Sequence, residues 1–235
     1  MLKKIIATTL VLTCGIAQAQ DDVLEEVIVT GIMETDGYYE MPAVTLKKQG
    51  DFLVQDVKMI NDTRDKKMRE KEIRETLLAL AESAKKQGDM QLSYGDEFLR
   101  TLDPKDKSLV FTEDRSRADT SYFYFSVKQK VNPQLPATEQ EASLEKFIKS
   151  AKKIGRTELD LSGEADLSIV NPEKYRYEVI KKIAEENNTL RQAIGQSCDI
   201  QLDGISNRVK WQRTGIIDLV IYIPYRTQLN CKQQQ

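Results

Sequence analysis

The sequence predicts an α+β fold: two strand-helix-strand-strand units joined by a helix, building an antiparallel-rich sheet with helices packed on one face. Three observations carry this. Two long stretches, "DFLVQDVKMIND" and "TSYFYFSVKQKV", alternate in the manner of half-buried strands. Three other stretches repeat apolar residues at three- and four-residue spacing, the signature of helices with one buried side. The order strand, helix, strand, strand then occurs twice, over about 52–131 and about 157–225, with a helix between.

The N-terminus reads as a signal peptide. Lys3 and Lys4 precede the apolar run "IIATTLVLTCGIA", which is too short for a membrane span of roughly 20 residues. "AQA", Ala17 to Ala19, offers small residues to a signal peptidase, so cleavage is expected after Ala19. The less favoured alternative is a lipoprotein acylated at Cys14, where Thr13 departs from the usual small residue. Residues 20–42 are expected to form an extended or flexible segment. In it "VIVTGI" alternates as a strand, and "METDGYYEMP" carries Gly37, Pro42 and no helical period. The domain proper is expected over 43–229, with 230–235 as a tail.

Extended chain breaks at Gln49-Gly50. It then resumes with Phe52, Val54, Asp56 and Lys58 on one face and Leu53, Gln55, Val57 and Met59 on the other. The first helix is expected from about Arg64 to Gln87 on the stripe Ile73, Leu77, Leu80, Ala81 and Ala84. Asp62 or Thr63 would cap its start and Gly88 its end. "MQLSYG" is a strand, and 99–119 a long polar loop with a short strand at "SLVF". Phe123, Phe125, Val127 and Val131 then define one face of the next strand. Thr138 and Glu141 form a capping-box pattern ahead of a helix bearing Leu144, Phe147, Ile148, Ala151 and Ile154, closed by Gly155.

The last third opens with extended "TELDLSGEADLSIV". Asn171-Pro172 begins a helix whose stripe is Ile180, Ile183, Ala184, Leu190 and Ile194, closed by Gly195. "CDIQLDGI" places Cys198, Ile200 and Leu202 on one face, and Val209 and Trp211 point together. "GIIDLVIYIPY" is the most apolar strand and should sit centrally, with Pro224 at its end.

Composition narrows the chemistry. The formal charge is −2, and loss of Lys3 and Lys4 makes the chain more acidic, which argues against non-specific nucleic-acid binding. The 235 residues contain no histidine. A Ser-His-Asp or Cys-His device within the chain is therefore ruled out, as is a His-based metal site. No catalytic residue, metal site or cofactor is predicted. Once Cys14 is removed, Cys198 and Cys231 remain, and in an oxidising compartment they are expected to form one disulfide worth about 3 kcal/mol.

Two resemblances can be placed on these residues. "LEEVIVTG", followed by "MPAVTL", resembles the start of TonB-dependent outer-membrane receptors. The plug motif of that family does not follow, and a barrel of 22 strands at about 10 residues each would need a far longer chain. Over most of residues 24 to 229 the order resembles the SIMPL family of exported bacterial proteins. The matching pieces are "VIVTGI", the helix to Gly195 and "IIDLVIYIPY". The "Pro-Asp-x-Ala" that usually follows that family's first strand is missing, and its Ala-rich last helix is replaced by "YEVIKKIAEENNTLRQAIG". This resemblance implies an exported, non-enzymatic and often oligomeric protein.

Candidate functional residues follow. Glu25, Glu26, Val27, Ile28, Val29, Thr30 and Gly31 are the candidate partner strand, either the domain's first strand or a strand offered to TonB. Asp160, Glu164 and Asp166 alternate on one strand face and are the best carboxylates for hydrolysis or calcium, though without calcium-loop spacing. Asp199 and Asp203 form a second acidic set, and Arg208, Lys210 and Arg213 surround Trp211, which is expected in the core. The expected function is a periplasmic or envelope protein acting by binding or assembly. Its candidate partners are a second copy of itself, and TonB or an outer-membrane receptor. The alternatives are an accessory of TonB-dependent uptake and a carboxylate-based hydrolase.

Overall fold

A computed structural model describes residues 26–31, 41–95, 99–194 and 198–231. The predicted signal peptide with its cleavage site and Cys14, and also Glu25, Gly195 and the last four residues, lie outside the described residues. The fold is α+β, as expected.

Short β1 (Glu26–Val29) and β2 (Leu46–Gln49) precede the ten-residue β3 (Phe52–Asn61). The alternation of β3 is realised: Leu53, Val57 and Met59 are fully buried, while Asp56 on the other face is exposed. Helix α1 (Lys66–Gln87) buries Ile73, Leu77, Leu80 and Ala84. Its start is capped by Asp65, whose carboxylate accepts the Met68 N–H at 2.8 Å. Neither expected cap is used, because Thr63 donates to Glu72 and Asp62 is engaged by Arg156. Gly88 closes the helix as expected, at φ +88° with its N–H on the Ala84 carbonyl.

β4 (Met90–Tyr94) follows, then β5 (Arg100–Thr101), β6 (Thr112–Glu113) and the ten-residue β7 (Ser121–Lys130). The expected strand at Ser108–Phe111 is absent; the short strand forms just beyond, at β6. The intervening loop is held by Arg74, whose guanidinium donates to the carbonyls of Asp106 (2.7 Å) and Leu109 (3.2 Å) and lies over the Phe111 ring. Helix α2 (Ala137–Lys149) carries no side-chain cap at Pro136, so the Thr138–Glu141 box is not formed. Gln140 does the work instead: it accepts from the Asn132 N–H and donates to the Asn132 and Leu135 carbonyls. The helix ends before Ala151 and Ile154, and the Ile154 N–H turns to the Thr76 hydroxyl on α1.

β8 (Thr157–Val170) is the longest strand, and a 3-10 turn at Pro172–Tyr175 leads into α3 (Arg176–Ile194). The buried stripe of α3 is Val179, Ile183 and Asn187, with Ile180, Leu190 and Ile194 half-buried and Ala184 exposed. Asn187 is accommodated because its amide donates to the Ile183 carbonyl at 2.7 Å. β9 (Cys198–Asp203), β10 (Lys210–Arg213), β11 (Asp218–Tyr222) and β12 (Arg226–Cys231) complete the described chain.

The main sheet runs β1-β8-β3-β7-β4-β5, with β6 beside β7, and all its pairs are antiparallel. Since β3 is antiparallel to both β7 and β8, those two are parallel to each other, and α2 is the crossover between them. By the same reasoning α1 crosses from β3 to β4 over β7. The set β3-α1-β4-β7-α2-β8 thus has the split βαβ topology, and right-handed crossovers bring both helices to one face. That face holds the core of Leu53, Val57, Met59, Phe125, Val127 and Leu167.

Of the second strand-helix-strand-strand set only β8 joins this sheet. β10-β11-β2 forms a small sheet with the apolar β11 at its centre, as expected, and Pro224 falls just past its end. Among the described residues β9 pairs only with β12. Asn230 and Cys231, expected in the tail, therefore join a strand, and β2 finds its partner far along the chain. Both lobes share one hydrophobic core.

Candidate functional site

The candidate partner strand is built into the domain. β1 pairs with β8 from Glu26↔Val170 to Val29↔Leu167. Val29 is buried and Val27 half-buried, both directed with Leu167 and Ile169 toward the core. Glu26 points to the opposite face, where its carboxylate meets the Lys128 ammonium and accepts from the Ser168 hydroxyl at 2.7 Å. Lys128 belongs to β7, three places along the sheet from β1, so this pair reaches across β8 and β3. The Lys128 side chain is 6% exposed and sits over the Phe52 ring at 4.1 Å. Thr30 and Gly31 are exposed, and the outer edge of β1 has no partner among the described residues.

Cys198 and Cys231 are bonded, and they are directly opposite in the β9–β12 ladder. Every residue of β12 is exposed. An isolated two-stranded ribbon is marginal in water, so the disulfide is its staple. Asp199 and Asp203 lie exposed on β9.

The carboxylates of β8 are divided by a bulge. Val54 faces Asp166 and Asp56 faces Ser162, so β8 carries two extra residues opposite Gln55. The Gln55 amide fills the bulge, donating to the Asp56, Ser162 and Gly163 carbonyls. Glu164 sits in the bulge, while Asp160 and Asp166 remain on the outer face at its two sides. Asp166 is the unusual member. Burial raises its pKa above the ordinary aspartate value, Arg213 opposes the shift, and Asp56 adds to it. Among the described residues no group of three acids or cysteines is arranged to hold a metal ion.

Arg213 is not part of a basic surface around Trp211. Its guanidinium is buried and donates to the carbonyls of Ala165 (2.8 Å), Gly215 (3.0 Å) and Ile216 (2.9 Å). It thereby ties β10 to the bulge of β8. Arg208 and Lys210 are exposed, and Trp211 packs partly buried against the core.

The sequence pattern missed a third feature. The sheet face turned away from α1 and α2 is split in two. At one end Val54, Lys128 and Ser168 are covered. At the other, Asp56, Glu158, Asp160 and Ser162 are exposed, and Tyr124 is 54% exposed. There Tyr122 and Tyr124 meet edge to face at 5.4 Å, with the Lys58 ammonium over both rings. This open half ends in a cleft of about 530 Å³ at the ends of β3 and β8, floored by Ile60 and Thr157.

The cleft is bounded by fixed structure. Arg156 is held by Asp62 at 2.5 and 2.7 Å, which lowers the pKa of Asp62 and raises that of Arg156. Behind them the Glu72 carboxylate accepts from Asn61 (2.8 Å), Thr63 (2.7 Å) and the Arg156 N–H (3.1 Å). Those side-chain bonds hold its pKa below the usual range. On the other side the turn carrying Arg117 is closed by the Asp114 carboxylate, which accepts from the Ser116 N–H and hydroxyl. Exposed charged residues at strand ends carry no periodicity, so the spacing of Arg117, Lys153 and Asp160 gave no sign that they converge.

No family model, no curated protein and no solved structure matches this chain. What stands is the class that the fold defines: a disulfide-bonded α+β protein built on a split βαβ sheet.

Proposed function

We propose that this chain is an exported, periplasmic or envelope-associated protein that acts by binding or assembly and not by catalysis, as its resemblance to the SIMPL family implies. The observation that carries the reading is the docking of β1, with Val29 in the core and Glu26 bonded to Lys128 across the sheet. A segment fixed in this way serves as the first strand of a domain, the place such a strand has in that family. The bonded cysteines are compatible with an oxidising compartment, and no described helix is long and apolar enough to cross a membrane. The candidate partner is a second copy of the chain. Light scattering on residues 20–235 tests this, with an oligomer expected; a strict monomer across the micromolar range would count against it.

One observation supports a second reading, an accessory of TonB-linked uptake. The outer edge of β1 is unpaired among the described residues, and TonB or a receptor could add a strand there. Deleting 20–35 should then abolish crosslinking to TonB, and unchanged crosslinking would remove the idea.

A further inference from the structure

We propose that the cleft at the ends of β3 and β8 binds a short peptide with free termini, its carboxylate held by Arg117 and its ammonium by Asp160.

The argument rests on which charges are already satisfied. Of the cations lining the cleft, Arg156 is neutralised by Asp62. Among the described residues Arg117 and Asp160 form no salt bridge, whereas Glu158 is attracted to Arg156 and Lys153 lies on the connection that runs into β8. One cation and one acid without a salt bridge thus line one cavity without meeting each other. Topology explains why they stay apart. Arg117 stands on the β6–β7 turn and Asp160 on β8, with β3 between, so two strand spacings of about 5 Å each separate them. A charged ligand spanning that gap needs opposite charges on its two ends.

Size and surroundings select a peptide. A cleft of about 530 Å³ lies within the range for small-molecule sites and admits two or three residues. An amino acid's own charges lie too close together to bridge two strand spacings. The floor residue Ile60 is directly opposite Tyr122, and Asp160 is directly opposite Lys58. The cleft therefore adjoins the tyrosine pair, whose rings lie beneath the Lys58 ammonium and can meet the peptide's side chains at their free edges. The cation stands on a rigid support, the Asp114-closed turn, so little ordering opposes binding.

Calorimetric titration of the whole mature chain tests the proposal, with trialanine as the probe. Three controls run beside it: N-acetyl-trialanine, trialanine amide and uncharged maltotriose. Saturable binding of trialanine is expected, weakened at least tenfold by blocking either terminus, with maltotriose inert. The variants separate the two ends. Arg117→Gln should lose discrimination against the amide and keep it against the acetylated peptide, and Asp160→Asn should do the reverse. Both positions are exposed, so the variants are expected to fold, and their thermal midpoints check this. Absence of saturable binding up to about 20 mM trialanine would overturn the proposal. Equal affinity for the blocked peptides or for maltotriose would overturn it too. The mass of the protein in solution plays no part in this result.

Discussion

Replacing Lys128 with Met removes one partner of the ion pair that holds β1. The Glu26 side chain is 13% exposed, so its carboxylate would be left largely desolvated with only the Ser168 hydroxyl. Breaking a buried pair from one side costs about 3–5 kcal/mol. The chain has an escape, because β1 is an edge strand of four residues and can peel away to hydrate Glu26. Peeling forfeits burial of Val29 and half that of Val27, about 2–3 kcal/mol, and that sum caps the loss. Urea unfolding of Lys128→Met should therefore show a loss of about 2–3 kcal/mol. Amide exchange should show residues 26–29 unprotected while β3 and β7 stay protected. The double variant Glu26→Gln/Lys128→Met should recover at least about 1 kcal/mol, since no charge is left buried. A loss below about 0.5 kcal/mol, or strict additivity in the double variant, would refute the reasoning.

Three further expectations follow from the same contacts. Converting both Cys198 and Cys231 to Ser should cost about 3 kcal/mol by the chain-entropy estimate and speed tryptic cleavage at Arg226, with the main sheet's exchange pattern unchanged. Gln55→Ala should cost about 1–3 kcal/mol by leaving the Ser162 and Gly163 carbonyls without their donor, measured by denaturant midpoint. Glu72 has a lowered pKa in the folded state, so its stabilisation is present above the unfolded value and is lost as pH falls through the folded one; Glu72→Gln should flatten the acid limb of a stability-against-pH curve and leave the alkaline limb alone.

Much of the main sheet was legible, because alternation reports burial directly. The faces of β3 and β7, the glycine end of α1 and the central place of β11 all follow from hydrophobic period. Period reports which way a side chain points, not which strand lies alongside. That is why β2 pairing with β11, and β12 with β9, could not be read from it. Caps were misread for a related reason: Thr63 and Asp62 are good caps, but each has a stronger partner, Glu72 and Arg156, brought near only by the fold. The acids of β8 looked like one alternating row because a bulge of two extra residues leaves the alternation intact on either side. The cleft was invisible, since its residues come from a turn, a connection and two strand ends.

The stretch "LEEVIVTGI" illustrates how far alternation can and cannot go. A strand awaiting a partner needs only period-two apolarity, and the sequence supplies that. It has no need of a buried cation for its glutamate. Here Lys128 is already placed for Glu26, and Ser168 donates to the same carboxylate. Shifting β1 by one residue would turn Val27 and Val29 outward and drive Glu26 into the core beside Leu167 and Ile169. The ion pair therefore specifies one register on β8, beyond what two valines alone would fix. Any partner that took β1 away would have to match the valine burial and rehydrate or repair Lys128, a combined cost of several kcal/mol. Adding a strand to the outer edge of β1 leaves the valines and the ion pair in place, though β10 packs near β1 and would have to make room. If another chain uses this segment, the free edge is where it adds, with β1 remaining in place.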